Sequence, residues 1–592
     1  MFDDNIEEFQ EWLAENELQV RDTKEYGNGY LINLKQCPFS NEHTDGAYIF
    51  FKPKHIVARC HHESCRKNNV SWNMLYEAKT GKKYYTQKKS NKDNISSSEK
   101  FDMVEVLNNA FDNGVLKAFM DKNYTVYCIY KPSENGTQSV YELNSYELKL
   151  IIQKLMLKEG QLLRNNDMSK PIDYIALKAY ENKDVREVHK RFCTNGNNQI
   201  LYELSKDDVV SIKDGKLELI KNNSVIFKHD KTYKEQVKID PDREVKDYKK
   251  LIKYVKKYFN LTDNRDVSLF AIYLCVAFFS DKVNMPMILI SSEKGSAKST
   301  MARFFESILD PKNVDLCSIP TDRDGLFMRL NNSAVCCFDN LSYIKADTSD
   351  ILCRAVTNGT QTRRTLYENS NETTFNLKSI VMINGTSPLV FAEDLLDRTI
   401  EFKLERITSD KMITEEELNK QFRRDLPEIL LLCMNVVAKA LLDKEPVDMS
   451  KTIRLSDFYV WAVRVGKVLG YTKEYIDSLF KQNTNRINDQ LLDENAVGKS
   501  LLIFMEYRKK YVASYADLYR ALKKVAIDNK LDITSNGFPS AVNALSRRIN
   551  AIKSNLSACG LDITVTSTRT HKEVKIINNN NRKPPIKIED AV

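Results

Sequence analysis

Apolar positions change their period along the chain. Residues 2–18 set Phe2, Ile6, Phe9, Trp12 and Leu13 at helical spacing over an acidic outer face. Between residues 30 and 80 the pattern shortens to strand-like runs, AYIFF and HIVARC. The Lys-, Ser- and Asn-rich stretch 82–100 has no apolar period and reads as a flexible linker. Residues 101–250 mix one clear helix (YELKLIIQKLMLK) with strand-like pieces (YTVYCIY, QILYELS, KLELIK, SVIFK), an α+β pattern, and 251–280 read as helix. From 285 to about 404, short apolar runs (MILI, AVCCF, SIVMI) alternate with helical segments, as buried parallel strands with crossover helices do. Residues 411–480 are helical. After 496 come three helical runs (VGKSLLIFMEYRKKY, ADLYRALKKVAI and 539–556), then two alternating strands, DITVTST and EVKII.

Charge sharpens that division. The 592 residues carry a formal net charge of +8, but residues 496–592 hold 17 Lys and Arg against 8 Asp and Glu, and the preceding part holds 72 against 73. The whole excess sits on the terminal three-helix, two-strand segment, whose order predicts a winged helix, and a polyanion such as nucleic acid is its expected partner. A Lys-rich solvated face or a protein-docking winged helix is the plainer alternative. No apolar run approaches the roughly 18 residues that span a bilayer, so no membrane partner is expected. The acidic start, MFDDNIEEFQ, resembles no export or transit signal, and a cytoplasmic location is expected. Most of the twelve cysteines then read as reduced core residues.

Cys37, Cys60 and Cys65 are the exception. CPFSNEH (37–43) and CHHESC (60–65) form two knuckles joined by a strand-like segment, which suits tetrahedral Zn²⁺ held by Cys37, His43, Cys60 and Cys65, with His62 as rival to His43. The layout partly resembles the zinc ribbons of primase-type proteins, although Ser40 stands where those carry a histidine. Four protein ligands leave no open position, so the site reads as structural.

The segment SSEKGSAKST (291–300) joins the run 285–290 to a helix. The usual phosphate loop is G-x-x-x-x-G-K-[ST]; here Ser292 and Ala297 replace its glycines. Gly295 still allows the turn that aims amides at phosphate. Gly295, Ser296, Ala297, Lys298, Ser299 and Thr300 are the candidate ATP-binding residues, with Lys298 on the phosphates and Ser299 on Mg²⁺. Downstream, AVCCF ends in Asp339 and Asn340, SIVMI ends in Asn384, and DLLDR closes on Arg398. A loop, a strand ending in Asp, a strand ending in Asn and an Asp-Arg pair, in that order, predict an AAA+ ATPase core.

The strings GSAKSTMARFF, CCFDNLS, DILCRAVTNG, RRTLYEN, VMINGTSP and DLLDRTIEFKL together resemble a family of phage and mobile-island replication ATPases. That family includes the self-loading helicases of staphylococcal cassette chromosome elements and the initiators of staphylococcal pathogenicity islands, and it is related to MCM helicases. The likeness is dense over 285–410 and looser on the flanks. It implies that Ala before the loop lysine is normal and that Asp339 acts on Mg²⁺. It implies Asn384 as the sensor of the γ-phosphate and Arg398 as a finger reaching the neighbouring subunit's nucleotide; a salt bridge with Asp394 or Asp397 is the plainer role for Arg398. Arg454 matches the second sensor, with Arg464 as rival. The glutamate usual after the Walker B acid is Asn340 here, which leaves the water-activating group open. Arg363 and Arg364 lie where MCM-like helicases carry a pore hairpin.

The resulting expectation is a multidomain α/β protein. A zinc-ribbon N-terminal module (1–81) and a linker (82–100) precede an α+β middle domain (101–250) and an AAA+ P-loop ATPase core (251–480). A C-terminal winged helix (490–577) and a tail (578–592) follow. Arg547, Arg548, Lys553, Arg569 and Lys572 are its candidate DNA contacts. The function expected is an ATP-dependent helicase and replication initiator of a mobile element. It would bind double-stranded origin DNA, form a homo-oligomeric ring, expected to be hexameric, and move on single-stranded DNA, 3′ to 5′ by family likeness. The rivals are a primase-helicase and a DNA-binding regulator with a degenerate ATPase.

Overall fold

The computed structural model describes residues 5–26, 29–40, 42, 44–52, 55–67, 70–82, 102–133, 136–196, 198–222, 225–292, 295–341, 344–357, 359–364, 372–385, 393–407, 413–449, 454–534, 538–567 and 572–579. It divides into two units, Met1–Lys100 and Phe101–Val592.

In the first unit, helix Ile6–Glu15 precedes an antiparallel meander of Val20–Tyr26, Gly29–Leu34, Ala47–Lys52 and His55–Cys60, followed by helices Glu63–Lys67 and Trp72–Thr80. Alternate residues of Ala47–Lys52 turn inward. They meet Phe9 and Leu13 of the first helix and Trp72 and Leu75 of the last in one core. Residues 83–100 of the expected linker (82–100) lie outside the described residues.

The second unit begins with a three-stranded antiparallel sheet (Leu116–Met120, Val126–Tyr130, Ser139–Glu142) and helices Met103–Asp112, Tyr146–Lys158 and Ser169–Asn182. A four-stranded antiparallel sheet follows, from Phe192–Asn195 to Lys216–Lys221. Its inner residues Phe192, Ile200, Tyr202, Val210 and Ile212 share a core with helix Asn264–Val276 and with the central sheet.

The central sheet has four strands: first Met287–Ser292, second Val335–Leu341, third Ile380–Gly385, fourth Thr399–Leu404. All pair in parallel, in the spatial order second, third, first, fourth. The first three are apolar on both faces over most of their length, because crossover helices cover both; the fourth, at the edge, sets Ile400, Phe402 and Leu404 on one face and Thr399, Glu401 and Lys403 on the other. Helix Lys298–Leu309 follows the first strand; helices Glu415–Ala440, Ser456–Val468 and Lys473–Glu494 complete the body.

The C-terminal segment has its own core, in the order helix Ala496–Met505, strand Lys510–Ser514, helix Tyr515–Asp528, helices Val542–Ala551 and Lys553–Ala558, and strands Leu561–Ser567 and Lys572–Asn578. Two details depart from the periodicity. The first helix ends at Met505, and residues 510–514 instead form a strand against Lys572–Asn578, filling an otherwise unpaired edge. The expected helix 539–556 breaks at Ile552 (φ −109°, ψ 12°), and the piece after it turns Asn555 inward to donate to Asn488 Oδ1 at 2.9 Å.

One buried charge group joins the layers. Asp310, just past the helix Lys298–Leu309, accepts the backbone N–H groups of Ala334 and Val335 at 3.0 and 3.2 Å. It also accepts Arg191 Nε at 3.2 Å and lies 3.6 Å from Lys312 Nζ. Burial by itself would raise the Asp310 carboxyl; Lys312 and Arg191 outweigh it and hold it below the usual value. Removing one member of a buried charge group strands the others, at about 3–5 kcal/mol. Asp310→Asn should therefore lose about that much in urea unfolding, whereas truncating the exposed pair Lys246–Glu244 should change stability by under about 1 kcal/mol.

Candidate functional site

The parallel register brings three chain segments to one edge of the central sheet. Ser291 pairs with Gly385 and Ser292 with Leu404, so the loop after the first strand emerges beside the ends of the third and fourth strands. The loop turns through two left-handed residues, Gly295 (φ 81°) and Ala297 (φ 62°). Glycine takes that conformation freely; alanine is strained by it, and strain of this kind gathers at functional loops. Lys298 then opens the helix. Its amine folds back on the loop, donating to Ser292 O at 3.1 Å and Ser292 Oγ at 3.2 Å. Burial depresses the Lys298 amine below its ordinary value, and Asp339 partly offsets this.

Ser299 Oγ donates to Asp339 Oδ1 at 3.0 Å, so the hydroxyl and the acid share one point. Asn384, buried on the third strand, accepts the Asn340 N–H on Oδ1 at 2.9 Å. Its Nδ2 is buried with no hydrogen-bond partner among the described residues. A buried unpaired donor beside a hydroxyl–carboxylate pair suits an oxygen-rich ligand. Ser299 and Asp339 supply the hard oxygen donors that Mg²⁺ takes, so the residues present fit that ion. Asn340 has φ 58°, a left-handed value that Asn tolerates better than Glu. That is a backbone reason for an amide where the family pattern carries an acid.

The structure adds residues that the sequence did not mark. Asn260 Nδ2 donates to Ser296 O and Glu405 O, both at 2.9 Å. Ile407 N–H donates to Gly295 O at 3.2 Å, and Arg406 lies against Gly295. Asn260 stands between two helical runs as any turn residue would, and only tertiary closure shows what it holds.

Arg398 and Arg454 are not at this edge. Arg398 O accepts the N–H of Met287, at the start of the first strand, while the loop follows its end. Six residues at about 3.3 Å each put Arg398 about 20 Å from its own loop. Its guanidinium pairs with Asp394. Arg454 Nη1 joins them, 2.8 Å from Asp394 Oδ1 and 3.3 Å from Asp397 Oδ2. Arg464, the rival, instead lies over the Trp461 ring at 4.9 Å.

In the N-terminal unit the Cys37, Cys60 and Cys65 sulfurs lie within 4.8 Å of one another, with Cys37 and Cys65 at 3.9 Å. Tetrahedral Zn²⁺ with bonds of about 2.3 Å sets sulfurs about 3.8 Å apart, so these thiols fit it. His43 lies outside the described residues. His62 Nδ1 is 3.3 Å from Cys60 Sγ, and its Nε2 is 3.4 Å from Asp45 Oδ1, the outer carboxylate that metal-bound histidines commonly hold. A Cβ on Gly46 would meet the His62 ring at 3.0 Å, so that glycine makes room for it. Burial pushes the Cys37 thiol up to about 12 and raises Cys65 as well.

Of the candidate DNA contacts, Arg363 and Arg364 fall on strand Thr360–Arg364, which pairs with Glu372–Asn376 about a tip that lies outside the described residues. Arg547 and Lys553 are exposed on consecutive short helices, and Arg548 is half-buried. Lys572 opens the last strand; Arg569, in the turn before it, lies outside the described residues. Among the described residues, no helix is long and apolar enough to cross a membrane.

Residues 252–479 match the family model of the actinomycete integrative conjugative element replication protein, and residues 497–586 match the C-terminal domain model of the same RepA family. The body therefore carries a replication-protein domain of a mobile element, the coarser part of the likeness read from its motifs; the staphylococcal and MCM affiliations go further than these matches. No curated protein matches the chain. Solved structures of the NrS-1 C-terminal region align over 81% of this chain: one apo A form at 14% identity, TM-score 0.35 and 100% of its own length, another at 13%, 0.34 and 99%.

The left-handed backbone at residue 340 gives a direct test. Asn340→Gly should leave stability unchanged or slightly raised in urea unfolding, and Asn340→Glu should cost about 1 kcal/mol.

Proposed function

We propose that this chain is an ATP-driven DNA helicase and replication initiator of a mobile element. The observation that carries the reading is the meeting of Ser299, Asp339 and Asn384 beside the loop of Lys298, at the end of parallel strands where α/β sheets bind ligands. In this reading the body is an AAA+ core. The loop amides and Lys298 hold the β- and γ-phosphates, as the helix N-terminus behind them favours. Mg²⁺ between Ser299 and Asp339 would supply charge neutralisation on the phosphate oxygens. Asn384 Nδ2 orients the γ-phosphate or the attacking water. Phosphoryl transfer depends mostly on positioning and electrostatics, so Asn340 in place of a base is compatible with turnover.

The Arg398 backbone lies about 20 Å from its own loop and its guanidinium is held on Asp394, so in this reading it does not serve its own nucleotide. Arg398, with Arg454 beside it, is therefore assigned to the neighbouring subunit's pocket, which requires a closed ring, expected to be hexameric. The C-terminal segment has the helix and strand order of a winged helix and would bind origin DNA through Arg547, Lys553 and the strand turn near Lys572. Movement 3′ to 5′ on one strand rests on family likeness. The N-terminal unit is proposed to hold structural Zn²⁺ through Cys37, Cys60, Cys65 and the imidazole of His62.

DNA-stimulated ATPase should fall to background in Lys298→Ala, and Arg398→Ala should lose on the order of 10³-fold. Mixing the two variants should restore part of the activity, because one subunit then pairs an intact loop with a neighbour's intact finger. No recovery at any ratio would remove the finger in trans; ATPase unchanged in Lys298→Ala would remove the nucleotide reading altogether. Purified chain should contain one zinc per protomer by elemental analysis. Cys65→Ser should lose it, and His62→Ala should lose more of it than His43→Ala; the reverse order would return the fourth ligand to His43.

A further inference from the structure

A cavity of about 320 Å³ lies away from the nucleotide edge, between the three-stranded sheet and the lower end of the third central strand. Its walls are held by main-chain bonds. Met120 N–H donates to Asp184 O and Arg186 N–H to Met120 O, both at 2.9 Å; His189 N–H donates to Ile226 O at 2.8 Å and Lys228 N–H to His189 O at 2.9 Å. Segment 184–191 thus runs between the sheet and residues 226–228 and turns His189, Lys190 and Lys228 to one place. Lys378 and Ser379 enter from the segment before the third central strand, and Asn376 from the foot of the 360–376 hairpin.

The lining is cationic beyond what its acids answer. Lys190 is fully engaged, donating to Leu330 O at 2.5 Å, Lys378 O at 2.6 Å and Ser379 Oγ at 3.2 Å. Asp121 is engaged by the N–H groups of Asn123 and Thr125 at 2.8 and 2.9 Å. Asp281 is engaged on both oxygens, by His189 Nδ1 at 3.1 Å and the Thr194 N–H at 2.8 Å. Lys378 Nζ donates to the Asp281 backbone carbonyl at 2.8 Å, a neutral acceptor. The Lys228 amine has no hydrogen bond or ion pair among the described residues. Lys122 and Lys282 stand exposed at the rim, where Glu187 is the one exposed acid of the lining.

Burial draws the Lys228 and Lys378 amines down to about 8, still protonated at neutral pH. Burial would also depress His189, but its bond to Asp281 prevails and raises it to about 10. His189, Cys193 and Asp281 lie close enough to suggest a cation site. The amines of Lys228 and Lys378 on the same cavity disfavour a cation and favour an anion.

We propose that this cavity binds a phosphate group, with Lys228 and Lys378 as its direct donors and the paired His189 and Asp281 as part of its wall. The phosphate belongs either to the backbone of a single nucleic acid strand or to a free phosphate compound. The site is separate from the nucleotide loop and does not rest on the ATPase reading.

The test uses the full-length chain carrying Lys298→Ala, which weakens phosphate binding at the loop. By calorimetry, pyrophosphate should bind this protein. Adding Lys228→Gln or Lys378→Gln should weaken that binding about tenfold each, the loss expected for one charge-assisted hydrogen bond, and Lys228→Arg should retain it. In parallel, oligothymidylate binding is followed by fluorescence anisotropy over a salt series. A strand phosphate in the cavity predicts that the Gln variants weaken oligothymidylate, that the slope of log affinity on log salt falls by about 0.7, and that pyrophosphate competes. A free phosphate compound predicts the pyrophosphate effect alone. If neither probe responds to Lys228→Gln or Lys378→Gln, in variants whose melting temperature matches the parent, the proposal is overturned.

Discussion

The hydrogen bond from Ser299 Oγ to Asp339 Oδ1 ties the start of the helix Lys298–Leu309 to the far end of the second central strand. These residues meet only if the four strands keep their parallel register, since a slip of one residue would turn every inward side chain outward. The same helix and strand are joined at their other ends, where Asp310 accepts the N–H groups of Ala334 and Val335. A helix of 12 residues, about 18 Å long, and the strand it crosses are therefore fastened twice. One fastening lies in the candidate site and the other in a buried charge group. Glu203, which lies 3.7 Å from Arg191, carries that group into the preceding antiparallel sheet.

This double attachment explains where strain is tolerated. Gly295, Ala297 and Asn340 all take left-handed backbone at the loop edge. Non-glycine residues hold such geometry only when their surroundings over-determine it. Here the third strand contributes Asn384, which fixes the Asn340 amide, and Asn260 and Ile407 fix the loop carbonyls of Ser296 and Gly295. The opposite edge is built from long, charged side chains, with Arg398 and Arg454 on Asp394 and Lys190 on the carbonyls beneath the hairpin.

The legible parts of the sequence were those in which chemistry and local pattern coincide. Short apolar runs ending in Asp339, Asn384 and the 291–300 loop gave the strands and the residues at their tips, because strand ends in a parallel sheet lie close together in space. The Cys37, Cys60 and Cys65 trio was legible from spacing. The histidine was not, since His43 and His62 both lie near enough in sequence, and a carboxylate, Asp45, and a glycine, Gly46, bear on the choice. Strand 510–514 was hidden inside a helical pattern, because pairing with 572–578 overrode local preference. Asp310, Asn260 and the Lys228 cavity left no local trace: each draws its meaning from segments tens to hundreds of residues away, and a lysine in a Lys-rich chain looks like any other.

The geometry around Asp394 bears on how a ring would form under the proposed reading. A finger that serves a neighbour must first leave its own carboxylate, and Asp394 is exposed, so water can take up part of what the finger gives up. Asp394 has two guanidiniums, from Arg398 and Arg454, and Asp397 offers Arg454 a second contact. When Arg398 swings outward, Arg454 still neutralises Asp394, so the acid is never left alone. Arg398 Nε has no hydrogen-bond partner among the described residues, so the departing side chain gives up less than a fully satisfied guanidinium would. Two arginines on one aspartate thus make the exchange from an internal pair to a contact between subunits nearly balanced, which lets the charge of a neighbouring nucleotide decide it.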